Sequence, residues 1–88
     1  MEVKCFSFDM YYVYAIKSTA RNYIYVGLTD NLKRRVTQHQ RGYEKTTKPY
    51  RPFTLLYHEV FETRAEARHR EKYLKSAAGK RFLRSIKK

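Results

Sequence analysis

Two tyrosine-rich segments, separated by a short polar stretch, constrain the fold of this chain more than any other feature. Residues 11–16 and 23–28 are almost entirely aromatic, β-branched or small and apolar, which is typical of β-strands. Residues 17–22 between them read Lys-Ser-Thr-Ala-Arg-Asn and are polar and turn-like. The pattern predicts an antiparallel β-hairpin.

Side chains alternate between the two faces of a strand, so each segment divides into two sets of residues. One face of each strand consists of ordinary apolar residues, and the other carries a pair of tyrosines. The tyrosine faces are Tyr12, Tyr14 and Ile16 in the first segment and Tyr23, Tyr25 and Gly27 in the second. Phenolic hydroxyls therefore lie where a core would normally carry leucine or valine.

A basic helix is predicted directly after the hairpin, over residues 32–41. Residues 29–31 are candidate N-caps, and Gly42 ends the helical pattern. Residues at i, i+3, i+4 and i+7 share one helix face. In this helix that face is formed by Leu32, Arg35, Val36 and His39. We therefore expect Arg35 and His39 to point inward.

A loop and a third strand follow this helix. Residues 43–52 contain both prolines of the chain and fit neither the helical nor the strand period, so a long loop is expected. Phe53–Phe61 is rich in aromatic and branched residues and reads as the third strand.

Two helices are predicted to follow the third strand. Residues 63–66 match a capping box, and the helix that they open carries Glu71 on its apolar stripe. Gly79 is expected to break this helix before a short final helix over residues 81–86. The predicted fold is α+β: a three-stranded antiparallel sheet flanked by helices, in the order β-β-α-β-α-α.

The length and charge of the chain limit its organisation and its partners. A chain of 88 residues has room for one core, so residues 1–88 are expected to form a single domain with a core of about residues 11–86. The 20 Lys and Arg residues against 8 Asp and Glu give a formal net charge of +12. Such a charge favours polyanions, and nucleic acid is the commonest polyanion that also uses aromatic side chains. An anionic membrane surface is the rival partner at this point.

Cysteine content and the N-terminal sequence indicate the compartment. Cys5 is the single cysteine, which excludes an internal disulfide and a cysteine-rich zinc site. Charged residues among the first ten interrupt any apolar stretch of a signal peptide, and no apolar run reaches transmembrane length. The sequence predicts a cytoplasmic protein without a membrane partner.

The order of the polar residues resembles that of the GIY-YIG nuclease superfamily, in its small stand-alone bacterial form. Residues 12–14, Tyr-Val-Tyr, stand in the place of Gly-Ile-Tyr, and residues 25–27, Tyr-Val-Gly, in the place of Tyr-Ile-Gly. Arg35 and His39 on the next helix and Glu71 on the later one complete the pattern, which runs from about residue 11 to residue 75.

The resemblance implies an endonuclease that hydrolyses phosphodiester bonds in DNA with one Mg²⁺ or Mn²⁺ ion. By position, Glu71 would be the metal ligand and Arg35 the group that binds phosphate and stabilises its charge. Tyr14 and Tyr25 would be the catalytic tyrosines, assisted by His39, and the general base is not assigned to either tyrosine. The chemistry agrees, because carboxylate oxygen suits Mg²⁺ and a guanidinium pairs with phosphate in a fixed geometry.

Seven further residues are expected to contact nucleic acid. On the outer face of the first helix and in the loop they are Lys33, Arg34, Arg41, Lys45, Lys48, Tyr50 and Arg51. The expected substrate is DNA, including branched or single-stranded DNA, cleaved in a structure-selective or weakly sequence-selective way during repair or processing. RNA stays open as a substrate, and the sequence does not fix the oligomeric state.

The sequence also supports two other interpretations. Beyond Glu71 it contains no asparagine, whereas larger family members carry a late asparagine that orders the metal-binding carboxylate. A catalytically weak or inactive nucleic-acid-binding module on the same fold is therefore the alternative. In a purely structural interpretation, the tyrosines pack and Glu71 forms a buried ion pair with Arg35.

Overall fold

The computed structural model of the protein describes residues 10–86. The strands are β1 (Tyr11–Ser18), β2 (Ile24–Thr29) and β3 (Phe53–Phe61), and the helices are α1 (Leu32–Gln40), α2 (Arg64–Lys75) and α3 (Ala77–Ser85). The sheet has the order β2-β1-β3, and β1 pairs antiparallel with both neighbours. The predicted fold class and element order are confirmed.

The termini of the predicted elements shift where backbone pairing or a local cap overrides the residue pattern. β1 continues two residues beyond the prediction because Lys17 pairs with both neighbouring strands and Ser18 pairs with Phe53. The 43–52 loop contains a short 3₁₀ helix, Lys48–Tyr50. The predicted cap of α2 is confirmed, since the Thr63 side chain accepts from the amide of Glu66.

The prediction that Gly79 breaks the last helices was wrong. The break lies at Ser76, which ends α2 and whose side chain accepts from the amide of Gly79 within the first turn of α3. A β-carbon at Gly79 would lie 2.2 Å from the carbonyl oxygen of Tyr73 and 2.4 Å from Cα of Leu74. Gly79 is therefore required for the close packing of α3 on the end of α2, and its conformational freedom is not used.

The two faces of the sheet are covered by different parts of the chain, as the alternation of residues predicts. One face packs on α2 and α3 through Val13, Ala15, Val26, Leu56, Ala67, Leu74 and Leu83. On the opposite face, Tyr14, Ile16 and Phe53 are covered by α1 and by the 43–52 loop, through Leu32, Val36 and Tyr50. The sheet is thus the middle of three layers, and Tyr14 belongs to the face under α1.

α1 is fixed to the far edge of the sheet by its last residue. The Gln40 side-chain amide donates to the carbonyl of Phe53 at 2.6 Å and accepts from its amide at 2.8 Å. This double contact holds the C-terminal end of α1 against the first residue of β3, so the inward side chains of α1 face the tyrosines of β1.

The structure bears on the prediction about membrane spans but not on the prediction about a signal peptide. Among residues 10–86, no helix is long and apolar enough to span a membrane. Cys5 and the N-terminal segment on which the signal-peptide prediction rests lie outside the described residues.

Candidate active site

Tyr14 lies at the centre of the face under α1. Its side chain is 1% exposed, and its hydroxyl lies 2.8 Å from Nε2 of His39. Tyr14 pairs across the sheet with Gly27, where a β-carbon would lie 2.4 Å from the tyrosine hydroxyl. Gly27 therefore makes the space that the ring of Tyr14 occupies.

His39 joins Tyr14 to a second buried hydroxyl. Its Nδ1 lies 2.8 Å from Oγ1 of Thr47, which in turn donates to the carbonyl oxygen of Glu44 at 3.4 Å. In the tautomer that carries its proton on Nδ1, His39 donates to Oγ1 of Thr47 and its Nε2 accepts from the hydroxyl of Tyr14. That tautomer makes Tyr14 a hydrogen-bond donor to His39.

The pKa values of the pair agree with this assignment. Burial raises the pKa of Tyr14 to about 12, while the neighbouring Arg35 acts in the opposite direction. Burial and then the positive charge of Arg35 lower the pKa of His39 to about 4, against the influence of Glu44. Near neutral pH both groups are uncharged, so the buried Tyr14 holds its proton.

The guanidinium of Arg35 is held by one side chain from α1 and one from the loop that follows α1. Its Nη2 donates to Oε1 of Glu44 at 2.7 Å, and its Nη1 donates to Oε1 of Gln38 at 3.1 Å. The Arg35 side chain is 26% exposed, so the guanidinium is fixed but still reaches solvent. The buried ion pair between Arg35 and Glu71 that the structural interpretation requires is not formed.

Sequence reasoning missed Glu44 and Thr47. Both lie in the loop that fits no period, and their partners Arg35 and His39 lie nine and eight residues earlier on α1. One signal was available for Glu44, because it is the only acidic residue between Asp30 and Glu59 in a strongly basic stretch. A lone carboxylate in such a stretch has a cation as its expected partner.

Tyr25 completes the group on this face. Its ring centroid lies 6.4 Å from that of Tyr14 and 5.0 Å from that of His39, both in tilted arrangements. The structure thus brings Tyr14, Tyr25, Arg35 and His39 together, and we call these four residues the tyrosine cluster. Tyr25 is more exposed than Tyr14, since it lies on the edge strand β2.

Glu71 lies on α2, which packs on the opposite face of the sheet. Its side chain is 11% exposed, and its carboxylate oxygens lie 3.1 Å from Nζ of Lys75 and 3.6 Å from Nε of Arg68. Both cations belong to the same helix. No cluster of three or more potential His, Cys, Asp or Glu ligands occurs within residues 10–86. The structure therefore brings four of the five residues of the sequence pattern together and leaves Glu71 on the other side.

The donor chemistry of Glu71 suits one hard divalent ion. Carboxylate oxygen is the preferred protein ligand of Mg²⁺ and Mn²⁺, and Mg²⁺ is commonly held by one or two carboxylates, waters and a substrate phosphate. A metal ion at Glu71 would replace Lys75 and Arg68 as partner of the carboxylate. No other carboxylate is needed for such a site.

A cavity at the free edge of β2 lies between the tyrosine cluster on one face of the sheet and Glu71 on the other. It has a volume of about 420 Å³, and its lining includes Tyr25 of the tyrosine cluster and Lys75, the partner of Glu71. We call it the edge cavity. Because β2 is at the edge of the sheet, groups from the two faces can meet there without crossing the sheet.

The predicted nucleic-acid contacts divide into exposed cations and one packed ring. Exposed residues of this set are Lys33, Arg34, Arg41, Lys45, Lys48 and Arg51. Arg34 pairs with Asp30 at 3.0 Å, and Nε of Arg51 donates to the carbonyl of Lys48. Tyr50 instead stacks on Tyr23, with ring centroids 3.9 Å apart. Tyr50 therefore anchors the loop to the hairpin, while the cations around it remain accessible.

A family model described as the GIY-YIG catalytic domain matches residues 10–84. The chain belongs to the GIY-YIG family. This membership confirms the resemblance drawn from the order of Tyr14, Tyr25, Arg35, His39 and Glu71. GIY-YIG domains are nuclease domains, so the fold and the cluster belong to a nuclease-type domain that acts on nucleic acid.

Relatives of this GIY-YIG domain have nearly the same length. UPF0213 proteins of Staphylococcus aureus strains Mu50 and N315 are 38% identical to it over 80 residues, which covers 90% of this chain and 96% of theirs. The solution NMR structure of the UPF0213 protein BH0048 from Bacillus halodurans is 30% identical, with a TM-score of 0.53. That match covers 86% of this chain and 83% of the other.

Proposed function

We propose that this GIY-YIG domain is a divalent-metal-dependent endonuclease that hydrolyses phosphodiester bonds in DNA. The observation that supports this most directly is the convergence of Arg35 with two tyrosines and His39 on one face of the sheet. A core that serves only packing does not need a half-buried guanidinium among hydroxyl and imidazole groups. A site that binds phosphate does need such a guanidinium.

Arg35 binds the phosphate in this proposal. Glu44 and Gln38 each hold one of its terminal nitrogens, which limits the rotation of the guanidinium. A planar guanidinium forms two parallel hydrogen bonds with a phosphate and stabilises the charge that develops on it during hydrolysis. Lysine at this position would supply charge without that geometry.

The two tyrosines take different parts. Tyr14 is buried and keeps its proton while its hydroxyl is hydrogen-bonded to Nε2 of His39, so it orients the cluster and does not supply a phenolate. Tyr25 is half-buried and lines the edge cavity, where it can hydrogen-bond to an attacking water. We therefore assign Tyr25 as the tyrosine that faces the reacting phosphate, and His39 as the residue that fixes Tyr14.

Glu71 would hold the Mg²⁺ or Mn²⁺ ion at the other side of the edge cavity. When bound, such an ion polarises a phosphate oxygen and offsets its negative charge. Lys75 lines the same cavity and contacts Glu71 at 3.1 Å, so its ammonium has to leave the carboxylate before an ion binds. Release of Lys75 toward a phosphate of the substrate meets that requirement.

The exposed cations of α1 and of the loop favour weak sequence selectivity. Lysine and arginine side chains on a surface contact phosphates, which position a nucleic acid without reading its bases. We propose structure-selective or weakly sequence-selective action on branched or single-stranded DNA, in repair or processing.

A nucleic-acid-binding module without turnover is the second candidate function. It is favoured by one observation: the Glu71 carboxylate is already paired with Lys75 and Arg68, on the face opposite the tyrosine cluster. Such a module would bind DNA through the same cations and leave the phosphodiester bond intact.

Cleavage of labelled single-stranded, nicked, branched and blunt duplex DNA separates these candidates. Wild type is compared with Glu71→Gln and Arg35→Lys in Mg²⁺, in Mn²⁺ and in EDTA. Glu62→Gln is the matched control, because Glu62 is an exposed carboxylate just before α2. We expect cleavage by wild type and Glu62→Gln only with metal, and loss of cleavage in the other two variants.

Two results would contradict the nuclease proposal. One is cleavage by Glu71→Gln at the wild-type rate. The other is binding of DNA by wild type without cleavage under any metal condition, which would leave the binding module as the function.

A further inference from the structure

Part of the lining of the edge cavity belongs neither to the tyrosine cluster nor to the surroundings of Glu71. α3 contributes Lys80, Leu83 and Arg84 to it, and α2 contributes Lys75. Facing them are Asn22 and the β2 side, with Tyr23, Ile24, Tyr25 and Val26. None of the nine lining residues is acidic. The cavity therefore has a cationic side and an aromatic and apolar side.

This division matches the two chemical parts of a nucleotide. Single-stranded nucleic acid is bound by cations that follow its phosphates and by aromatic side chains that contact its bases. A cavity of about 420 Å³ falls in the range of sites that hold small organic ligands. A base stacked inside a duplex cannot enter it, whereas an unstacked base at a strand end, branch or single strand can.

The position of the cavity relates it to the proposed site. Tyr25 lines it from the side of the tyrosine cluster, and Lys75 lines it from the side of Glu71. A nucleotide held there would lie beside the phosphate that Arg35 and Tyr25 are proposed to bind. Lys80 and Arg84 are exposed, so their charges are available to a ligand that approaches from solvent.

We propose that the edge cavity receives one unstacked nucleotide of a single strand, with its phosphate on Lys80 and Arg84 and its base against the β2 side. The inference rests on the proposed nuclease function, and it makes single-stranded or frayed DNA the preferred substrate. It adds α3, which the sequence motifs do not include, to the nucleic-acid-binding surface.

Binding measurements in EDTA test this without cleavage. The affinity for a labelled single-stranded DNA of twelve nucleotides and for a blunt duplex of the same sequence is measured by fluorescence anisotropy as salt is varied. The test variant is Lys80→Ala/Arg84→Ala. The control is Lys72→Ala/Arg81→Ala, which removes the same charge from exposed positions of α2 and α3 that do not line the cavity.

For the test variant we expect a loss of about fivefold per phosphate contact on the single strand at 0.1 M salt. The slope of log K against log salt should become shallower by about 0.7 per contact. The control variant and the duplex should show a smaller loss. Amide chemical shifts of α3 should move when a thymidine dinucleotide with a 5′ phosphate is added to wild type.

Equal losses in the test and control variants, or an equal loss on duplex and single strand, would overturn the inference. Unchanged melting temperatures show that both variants are folded. The proposed nuclease function is tested separately, by measuring cleavage of DNA in Mg²⁺. Cleavage by wild type with equal binding losses in the two variants would reject the cavity proposal alone, and absence of cleavage with a selective loss would reject the nuclease proposal alone.

Discussion

The hydroxyl of Tyr14 lies 2.8 Å from Nε2 of His39, and both side chains are almost completely buried. The contact joins the central strand to α1 across the face where the remaining residues of the tyrosine cluster lie. It makes the cluster part of the core, so changes in it should affect stability as well as activity.

Tyr14→Phe should destabilise the protein although it changes no apolar contact. It removes the donor and leaves Nε2 of His39 buried without a partner, which typically costs about 1–3 kcal/mol. Urea unfolding followed by circular dichroism measures this. Tyr43→Phe removes a hydroxyl from a ring that is 68% exposed and should have little effect. Equal stability of Tyr14→Phe and wild type would show that the buried hydrogen bond is not important for folding.

Stability should fall as the pH is lowered from about 6.5 toward 4. The folded state keeps the pKa of His39 near 4, below the ordinary value of 6.5, so the unfolded chain binds more protons in this range. The free energy of unfolding should therefore be greatest above pH 6.5 and should decrease by about 3 kcal/mol in total. Urea titrations at several pH values measure the slope. His39→Gln should flatten it, and the exposed His58→Gln should not.

Glu44→Gln should reduce cleavage far more than stability. The Glu44 and Arg35 side chains are about a third and a quarter exposed, so their ion pair contributes at most about 1 kcal/mol. Loss of the fixed guanidinium should lower the single-turnover rate about tenfold. Glu59→Gln is the matched control, because Glu59 also pairs with an arginine at 2.7 Å with similar exposure, outside the tyrosine cluster. Equal cleavage rates in the two variants would show that Glu44 does not position the guanidinium of Arg35 for catalysis.

Lys75→Met should strengthen Mn²⁺ binding in the absence of DNA. The Lys75 ammonium competes for the Glu71 carboxylate at 3.1 Å, and its removal should tighten binding about tenfold, or about 1.4 kcal/mol. Electron paramagnetic resonance of free Mn²⁺ gives the affinity directly. Lys72→Met on the same helix is the control. If Lys75→Met combined with Glu71→Gln binds Mn²⁺ as tightly as Lys75→Met alone, Glu71 is not the ligand.

Gly79→Ala should destabilise the protein by about 2–3 kcal/mol, although alanine is the better helix former. Its β-carbon would overlap the backbone of Tyr73 and Leu74, where no side chain can move aside. Ala78→Gly tests helix propensity alone at an exposed neighbour and should cost about 1 kcal/mol. A Gly79→Ala protein as stable as wild type would mean that α3 packs less closely on α2.

The periodic part of the chain could be predicted from the sequence, because period two and period 3.6 fix which side chains share a face. Tyr14 is separated from Val13 by strand alternation, and His39 is turned inward by helix spacing. The same rule placed Glu71 on the buried stripe of α2. It could not tell which face of the sheet α2 covers.

Contacts made by the aperiodic loop could not be predicted in this way. Glu44 reaches Arg35, and Thr47 reaches His39, because the loop folds back over the sheet, and no local pattern encodes that path. Gly79 shows a related limit. A glycine near a helix end is most often a stop, and only the packing of two helices reveals that it serves close approach. The roles assigned to the site residues stay predictions.

The position of β2 has a consequence for solubility as well as for recognition. An edge strand offers unpaired backbone groups to any other strand, and proteins commonly protect such edges with charged side chains. Lys75, Lys80 and Arg84 line the cavity beside this edge, so a second copy of the chain that approached it would meet like charge. The cations that would attract a nucleic acid should also oppose strand-to-strand aggregation.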